Sequence, residues 1–422
     1  MKILNINTFD TGGAAKACLR LHLGLLASGI HSKVLLKQKT NFQIPETYQI
    51  SLSALENNLS IRIIRKLTKI SQELGIHFKD SNQDILSNLR PRGLEVYSYP
   101  TTDIDLTKSE LYKQSDLINL HLVARFLNYK SFFTRNKKPL VWTLHDQNPF
   151  LGVEHFAESH LGIDEKGYPI KRVVSKNEMD IYNRNLKLKK EALQHIPQIN
   201  IVSPSIWLAK EAQKSELFNN FPISIIPNGV NSEIFKPRDR RFSRELLNIP
   251  HEKIVILFVA DNLSNQRKGF EYLSRALSKI LNKNITFVSI GPKNLKHSYQ
   301  ENHIELGQIH DELLLSIIYS AADVFAIPSL MDNLPNTVLE ALMCGTPVIG
   351  FPVGGIPDMV IDGENGYLTN DISVVDLIQA LTKFIDNPTI FDRIAIRTNA
   401  VKKYSLDVQA KAYIKLYQSI LK

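Results

Sequence analysis

Ile327-Pro328-Ser329-Leu330-Met331-Asp332-Asn333-Leu334-Pro335-Asn336-Thr337-Val338-Leu339-Glu340-Ala341-Leu342-Met343-Cys344-Gly345-Thr346-Pro347-Val348-Ile349-Gly350 is the stretch from which the fold can be read. The apolar run Ala322 to Ile327 reads as a strand, the polar residues after it as a loop, then a short helix and another strand. Pro335 and Asn336 suit the start of that helix and Gly345 its stop. A second turn, Gly354-Gly355-Ile356-Pro357-Asp358, follows, and then Asp362-Gly363-Glu364-Asn365-Gly366-Tyr367. A helix that begins just past a strand's carboxyl end points unpaired N–H groups and a partial positive charge into the crevice above the sheet. That place suits a phosphate. Asp332 lies in the loop, and Glu340, eight positions on, sits about one turn into the helix. Acids repel a phosphate and suit hydroxyls, so the ligand implied is a sugar carried on phosphates.

These residues resemble the signature of the retaining glycosyltransferases of family four (glycosyl transferases group 1), which have the GT-B fold. The family pattern is Glu, seven residues, Glu, set within Pro-Ser, Leu-Pro, Leu-Glu-Ala and Gly-Thr-Pro-Val. Glu340 stands as the second Glu, and Asp332, one methylene shorter, replaces the first. The resemblance covers nearly the whole chain. It implies an α/β architecture of two Rossmann-like doubly wound domains facing a central cleft. Residues 1–230 would form the acceptor-side domain and 231–400 the nucleotide-sugar donor domain, with 401–422 a C-terminal helix returning to the first.

Composition sets the frame. The 422 residues allow two to three domains with separate cores. Hydrophobic content of 43% and charged content of 22% are ordinary for a soluble globular protein. Cys18 and Cys344, the two cysteines, exclude a disulfide framework and a cysteine-based zinc site. The opening Met1 to Asn7 reads as a strand rather than a signal peptide, and no run is long enough to span a bilayer. The net charge of +9 favours anionic partners. No basic stripe is interleaved with aromatics, so nucleic acid is not expected.

Taken in order, Lys2 to Asn7 reads as a buried strand, followed by Gly12-Gly13 and a helix with Ala14, Cys18, Leu21 and Leu25 on one face. Gly29 ends it and Lys33 to Leu36 is the next strand, a β-α-β opening that predicts a parallel sheet. Ile61 to Ile70 reads as a basic amphipathic helix. It either packs on the first sheet, the simpler reading, or lies on an anionic membrane surface. Glu95 to Pro100 comes next. Asp103-Ile104-Asp105 has the Asp-x-Asp form of a metal site but follows Tyr99-Pro100-Thr101 instead of closing an apolar strand, so it is read as chance.

Asp116 to Leu122 is another strand, ended by His121, a lesser site candidate. Pro139 to Asp146 is a strand with His145 and Asp146 at its carboxyl end, where ligands bind in such sheets. Phe150 to His155 contains no cysteine, so no metal or redox feature is expected there. A charged helix over Lys176 to Ile196, a strand over Ile199 to Ser203 and a helix from Pro204 lead to Ile223 to Val230, with the Asn228-Gly229 turn. Pro237 to Arg241 reads as the linker. The second sheet starts at Ile254 to Ala260, and Arg267-Lys268-Gly269-Phe270 opens its first helix. Cations there oppose the helix dipole, a local cost that points to another purpose. Ile285 to Gly291 and Ile304 to Ile309 are further strands. Val374 to Ile385 is a helix, Pro388 starts another, and Val408, Ala412 and Leu416 with Tyr413, Tyr417 and Ile420 mark a last amphipathic helix.

The resemblance assigns roles. Lys268 matches the family's Lys-Gly; the family's earlier Arg is missing and Arg267 is adjacent instead, so both would grip a diphosphate with the backbone near Asn333 to Thr337. The Gly12-Gly13 loop would face the same diphosphate. Glu340 would hold the ribose, Asp332 and the backbone at Asn333-Leu334 the sugar hydroxyls, and His145 would reach over from the first domain. Neither a metal nor a cofactor is expected beyond the nucleotide-diphosphate sugar, with a saccharide or lipid-linked acceptor as the other partner. The implied function is retaining sugar transfer in cell-surface polysaccharide synthesis, in the cytoplasm with peripheral contact at the inner membrane face. Two alternatives stay open: a GT-B nucleotide-sugar epimerase, and a non-catalytic nucleotide-sugar-binding protein, for which Asp332 and the missing Arg make room.

Overall fold

The computed structural model describes residues 1–51, 90–91, 93–194, 196, 198–280, 284–292 and 302–422. The basic segment Ile61 to Ile70 lies outside them. The first sheet holds β1 (Lys2–Phe9), β2 (His31–Gln38), β3 (Thr47–Gln49), β4 (Leu117–Leu120), β5 (Leu140–Thr143), β8 (Asn200–Ser203) and β9 (Ile223–Ile225). Its order is β3-β2-β1-β4-β5-β8-β9, parallel throughout. Between β5 and β8 a small antiparallel hairpin is inserted, β6 (His160–Ile163) with β7 (Pro169–Lys171). The second sheet holds β10 (Ile254–Val259), β11 (Ile285–Ile290), β12 (His303–Glu305), β13 (Val324–Ile327), β14 (Val348–Gly350) and β15 (Gly366–Leu368). Its order is β12-β11-β10-β13-β14-β15, again parallel. Near-continuous apolar runs such as Ile254–Val259 are what strands covered on both faces require. Glu95 to Pro100 forms no strand.

Five helices carry the argument below: α1 (Gly13–Ala27), α2 (Ile206–Lys214), α3 (Asn336–Met343), α4 (Arg393–Tyr404) and α5 (Leu406–Ile420). Pro335 is the N-cap of α3, and Gly345 turns the chain away with φ +71°. The helix expected from Pro388 begins later: Asp392 caps α4 by accepting from the Ile394 and Ala395 amides. α4 runs through residues 400 and 401, so the chain leaves the second lobe at Ser405, where Val230 N donates to Tyr404 O and Leu406 N to Val230 O. α5 then lies on the first lobe. Its inward residues are Gln409, Ala410, Tyr413 and Tyr417, while Val408 is exposed. The expected Tyr413 and Tyr417 face inward, with Ala412, Leu416 and Ile420 packed against the same cluster, while Ala410 takes the place expected of Val408 because it meets α1 at Gly24, where only a small residue leaves room for the Leu406 carbonyl.

Cys18 and Cys344 are buried and free. Asp105 caps the turn Leu106–Lys108 and pairs with Arg135, which accounts for the Asp-x-Asp without a metal. Among the described residues no helix is long and apolar enough to cross a membrane.

Candidate active site

The loops leaving β1, β5, β10 and β13 supply the predicted residues, at the carboxyl ends of parallel strands where ligands bind in such sheets. In the second lobe, Lys268 and Arg267 close a short turn, Gln266–Lys268, before the helix Phe270–Lys279. Lys268 Nζ lies 2.7 Å from Asp332 Oδ2, and Arg267 Nη1 lies 3.4 Å from the same oxygen. Ser329 Oγ donates to it as well, at 3.4 Å. Burial works against ionisation of Asp332, but Lys268 and Arg267 outweigh it and hold the carboxyl below its usual range. The two cations expected on a diphosphate and the acid expected on hydroxyls are therefore in contact with one another.

Arg267 reaches further. Its Nε donates to Glu95 of the first lobe, its Nη1 to the Met331 carbonyl at 2.7 Å, and its guanidinium lies 4.6 Å from the Phe156 ring centroid. Glu95 is half-buried, which works against its ionisation, yet Arg267 brings its carboxyl down to about 2.

Glu340 is 1% exposed. Its Oε1 accepts from Arg20 Nη2 at 2.7 Å and its Oε2 from the Tyr319 hydroxyl at 3.2 Å. The site loop itself is held from behind by glycines. A Cβ on Gly354 would sit 1.7 Å from Asp332 O, and one on Gly355 1.8 Å from Asn333 O. That close backbone approach is why the Gly-Gly turn follows the strand β14.

In the first lobe, His145 is partly buried beyond β5. Its Nε2 is 3.0 Å from Nδ1 of His121, and the two rings stack at 5.2 Å. Asn119 orients the pair: its Oδ1 accepts from Thr143, while its amide donates to Tyr417 OH at 2.9 Å and to His121 Nε2 at 3.0 Å. His121 Nε2 also lies 3.3 Å from Asn5 Oδ1, so this nitrogen faces both a donor and an acceptor.

Burial holds His145 down to about 4, and His121 is also pushed well below the ordinary range, by burial and then by His145. Below pH 6.5 the unfolded chain takes up a proton that folded His145 refuses until about pH 4, so folding stability falls as pH drops through that window. Replacing His145 by Asn is expected to flatten part of that acid-side loss, measured as Tm against pH. A curve parallel to that of the parent chain would show that His145 is not held neutral.

Asp146 is engaged within the first lobe. Its Oδ2 binds His155 Nδ1 at 2.6 Å, and His155 Nε2 meets Ser98 Oγ at 2.8 Å. Although the order Ser, His, Asp is that of a nucleophilic triad, Ser98 is 3% exposed and the chain of bonds serves to fasten the 95–100 segment to the loop after β5. Lys189 is fully buried beneath that loop, donating to the carbonyls of Asn148 and Leu151, and burial lowers its ammonium to about 7.

The lobes meet around α3. Asn333 Nδ2 donates to His145 O at 3.1 Å, and its Oδ1 accepts from Ser205 just before α2 at 2.6 Å. Asn336 Nδ2 donates to Gly13 O at 2.9 Å. Gly12 (φ +91°) and Gly13 have nothing within 4 Å of an added Cβ, so this loop stands open where α1 begins. Leu334 is buried, and its carbonyl receives the Asn228 amide at 3.5 Å. Thus Gly12, Gly13, His145, Arg267, Lys268, Asp332, Asn333, Leu334 and Glu340 gather along one interface. Among the described residues no group of three or more His, Cys, Asp or Glu is placed to hold a metal ion.

Glu95, Arg20, Phe156 and Tyr319 escape the sequence reading. Arg20 carried a usable signal: it is a charge on the inward face of α1, flanked by the buried Ala17 and Gly24. Glu95 carried none, since it lies in irregular chain with no motif around it.

Two parallel-sheet α/β lobes with a helix returning to the first define the GT-B fold. Residues 253–387, within the second lobe, match the family described as glycosyl transferases group 1. Over 185 residues the chain is 32% identical to a D-inositol 3-phosphate glycosyltransferase of Corynebacterium diphtheriae, a match spanning 39% of this chain and 43% of that protein. The match to the enzyme of the same name in Mycobacterium tuberculosis is 30% over 183 residues, spanning 39% and 37%. The matches thus span less than half the length of these relatives.

Similarity to solved structures extends over the whole chain. Sucrose-phosphate synthase from Thermosynechococcus elongatus superposes with a TM-score of 0.65 at 18% identity, covering 100% of this chain and 99% of that one. Anabaena Alr3699/HepE in complex with UDP and glucose gives 0.64 at 16%, covering 99% and 100%.

Proposed function

We propose that this chain moves a sugar from a nucleoside-diphosphate donor to an acceptor hydroxyl, with retention at the anomeric carbon and without a metal ion. The observation that carries the reading is the segment from Asp332 to Asn336. Over this short span it touches Lys268, His145 and Gly13, bringing cations, an imidazole and an open glycine loop to the start of α3. A neighbour of the same fold in complex with UDP-glucose supports a nucleoside-diphosphate sugar as the donor.

In the reaction the bond between the anomeric carbon and the phosphate oxygen breaks, and its electron pair stays on that oxygen. Lys268, Arg267 and the first amides of α3 stabilise the charge that grows there. The acceptor oxygen bonds to the anomeric carbon on the face the phosphate leaves, and its proton passes to the departing phosphate. Neutral His145 gives an N–H to a sugar hydroxyl, while Asp332 and the backbone at Asn333-Leu334 hold others. Glu340 takes the ribose. Closure of the lobes excludes water and limits hydrolysis. The product is a cell-surface saccharide assembled in the cytoplasm, at the inner face of a membrane.

The test begins with UDP-, ADP- and GDP-sugars screened for protection against thermal unfolding, since a ligand of the native state raises its apparent stability. The protecting donor, labelled, is then incubated with lipid-linked saccharides in EDTA. Transfer in chelator is expected. Activity lost in EDTA and restored by manganese would overturn the metal-free reading. Donor epimerised with no acceptor present would identify an epimerase, and protection without turnover a binding protein.

A further inference from the structure

Arg20 belongs to the first lobe, seven residues past Gly13 on α1, and is 4% exposed. Among the described residues its hydrogen bonds run through one nitrogen: Nη2 lies 2.7 Å from Glu340 Oε1 and 2.6 Å from Glu312 Oε1, both in the second lobe. Nε and Nη1 are buried and meet no acceptor among the described residues. The guanidinium otherwise rests against Phe235, 5.2 Å from the ring centroid. Buried guanidinium N–H groups left without an acceptor carry a desolvation cost, and native structures seldom keep them without a use.

A carboxylate only accepts hydrogen bonds and a guanidinium only donates them, whereas a sugar hydroxyl does both. We propose that Arg20 and Glu340 form a clamp for the ribose hydroxyls of the donor. Each hydroxyl held there donates to Glu340, and its oxygen accepts from Nε or Nη1 of Arg20. The inference rests on the donor-site reading above and deepens it, adding a first-lobe residue to the ribose subsite. Because the two halves of the clamp come from opposite lobes, a ribose in its grip also ties the lobes together. A deoxyribose loses both bonds at the missing hydroxyl.

The test is calorimetric titration of the full chain with UDP, ADP and GDP, followed by the 2′-deoxy and 3′-deoxy forms of whichever binds tightest. The parent chain, Arg20→Met, Arg20→Lys and Glu340→Gln are compared, with thermal unfolding of each free variant as the check on folding. The parent is expected to bind at least one deoxy form about tenfold more weakly than the ribonucleotide. Arg20→Met is expected to bind the ribonucleotide about tenfold more weakly than the parent and to lose the preference over the deoxy form. Arg20→Lys keeps the buried charge but has no fork of N–H groups, so it should fold like the parent and still fail to discriminate. Where Arg20→Met does not fold, Arg20→Lys decides. Parent-like discrimination in a folded Arg20 variant overturns the clamp while leaving the donor site standing, provided that Glu340→Gln binds weakly. A parent chain that binds none of the three nucleotides overturns the donor-site reading and the clamp with it.

Discussion

Replacing Lys268 by methionine is expected to lower turnover by about 10²- to 10³-fold, the loss typical of removing one pre-placed group that stabilises developing negative charge. The side chain sits at the end of a three-residue turn and is 21% exposed, so its removal opens no core. Asp332 keeps Arg267 at 3.4 Å as its remaining counter-charge, and Arg267 stays fixed by Glu95 and Met331. The fold should therefore survive, with Tm close to that of the parent. Because the charge being stabilised grows as the phosphate departs, the effect should fall mainly on kcat and less on the donor KM. Lys268→Arg should recover part of the rate. Steady-state kinetics with the donor found by the screen would check this. A Lys268→Met enzyme with kcat within twofold of the parent would remove Lys268 from the chemistry.

The second large effect is expected from Gly269→Ala, and it is structural first. Gly269 has φ +71°, and a Cβ there would lie 1.7 Å from the carbonyl oxygen of Pro328 and 2.6 Å from its carbon. Alanine in that backbone region costs roughly 1–2 kcal/mol, and forcing packed backbone apart adds about 1–3 kcal/mol. The displaced neighbour is the first residue after β13, four positions before Asp332. Moving it separates Lys268 from Asp332, so Gly269→Ala should lose both stability and turnover. Gly13→Ala is the internal comparison: nothing lies within 4 Å of its Cβ, so its Tm should hold. Equal Tm values for the two variants would refute the packing argument.

Lys268 and Gly269 therefore answer two separate demands. Lysine supplies charge, and glycine lets the turn carrying it press against the strand end that carries Asp332. The same reasoning covers Gly354 and Gly355, whose α-carbons lie under the carbonyls of Asp332 and Asn333. Sequence reading located these glycines as turns but gave no account of what they press against. It placed α3 from Pro335 and Asn336 to Gly345, because a cap, a run of helix formers and a left-handed stop are local signals. It misplaced the start of α4 by taking Pro388 as the first turn, when Asp392 has the side chain that caps the free amides. It found the buried stripe of α5 except at one end, where it took Val408 and passed over Ala410, since both fit the helical period. Only contact with Gly24 selects between them.

What the amino-acid sequence determined by itself is the pair of parallel α/β lobes and the loop-helix unit carrying Asp332 and Glu340. Turn chemistry and apolar period act between near neighbours, so they are written in adjacent residues. The tertiary structure alone decided the partner of each charge. Arg267 meets Glu95 across 172 positions and Arg20 meets Glu340 across 320, and His145 meets His121, itself bound to Asn119, across 24. Such pairings depend on how two separately folded lobes come to face each other, and residues so far apart in the chain carry no periodic or spacing signal of their eventual contact.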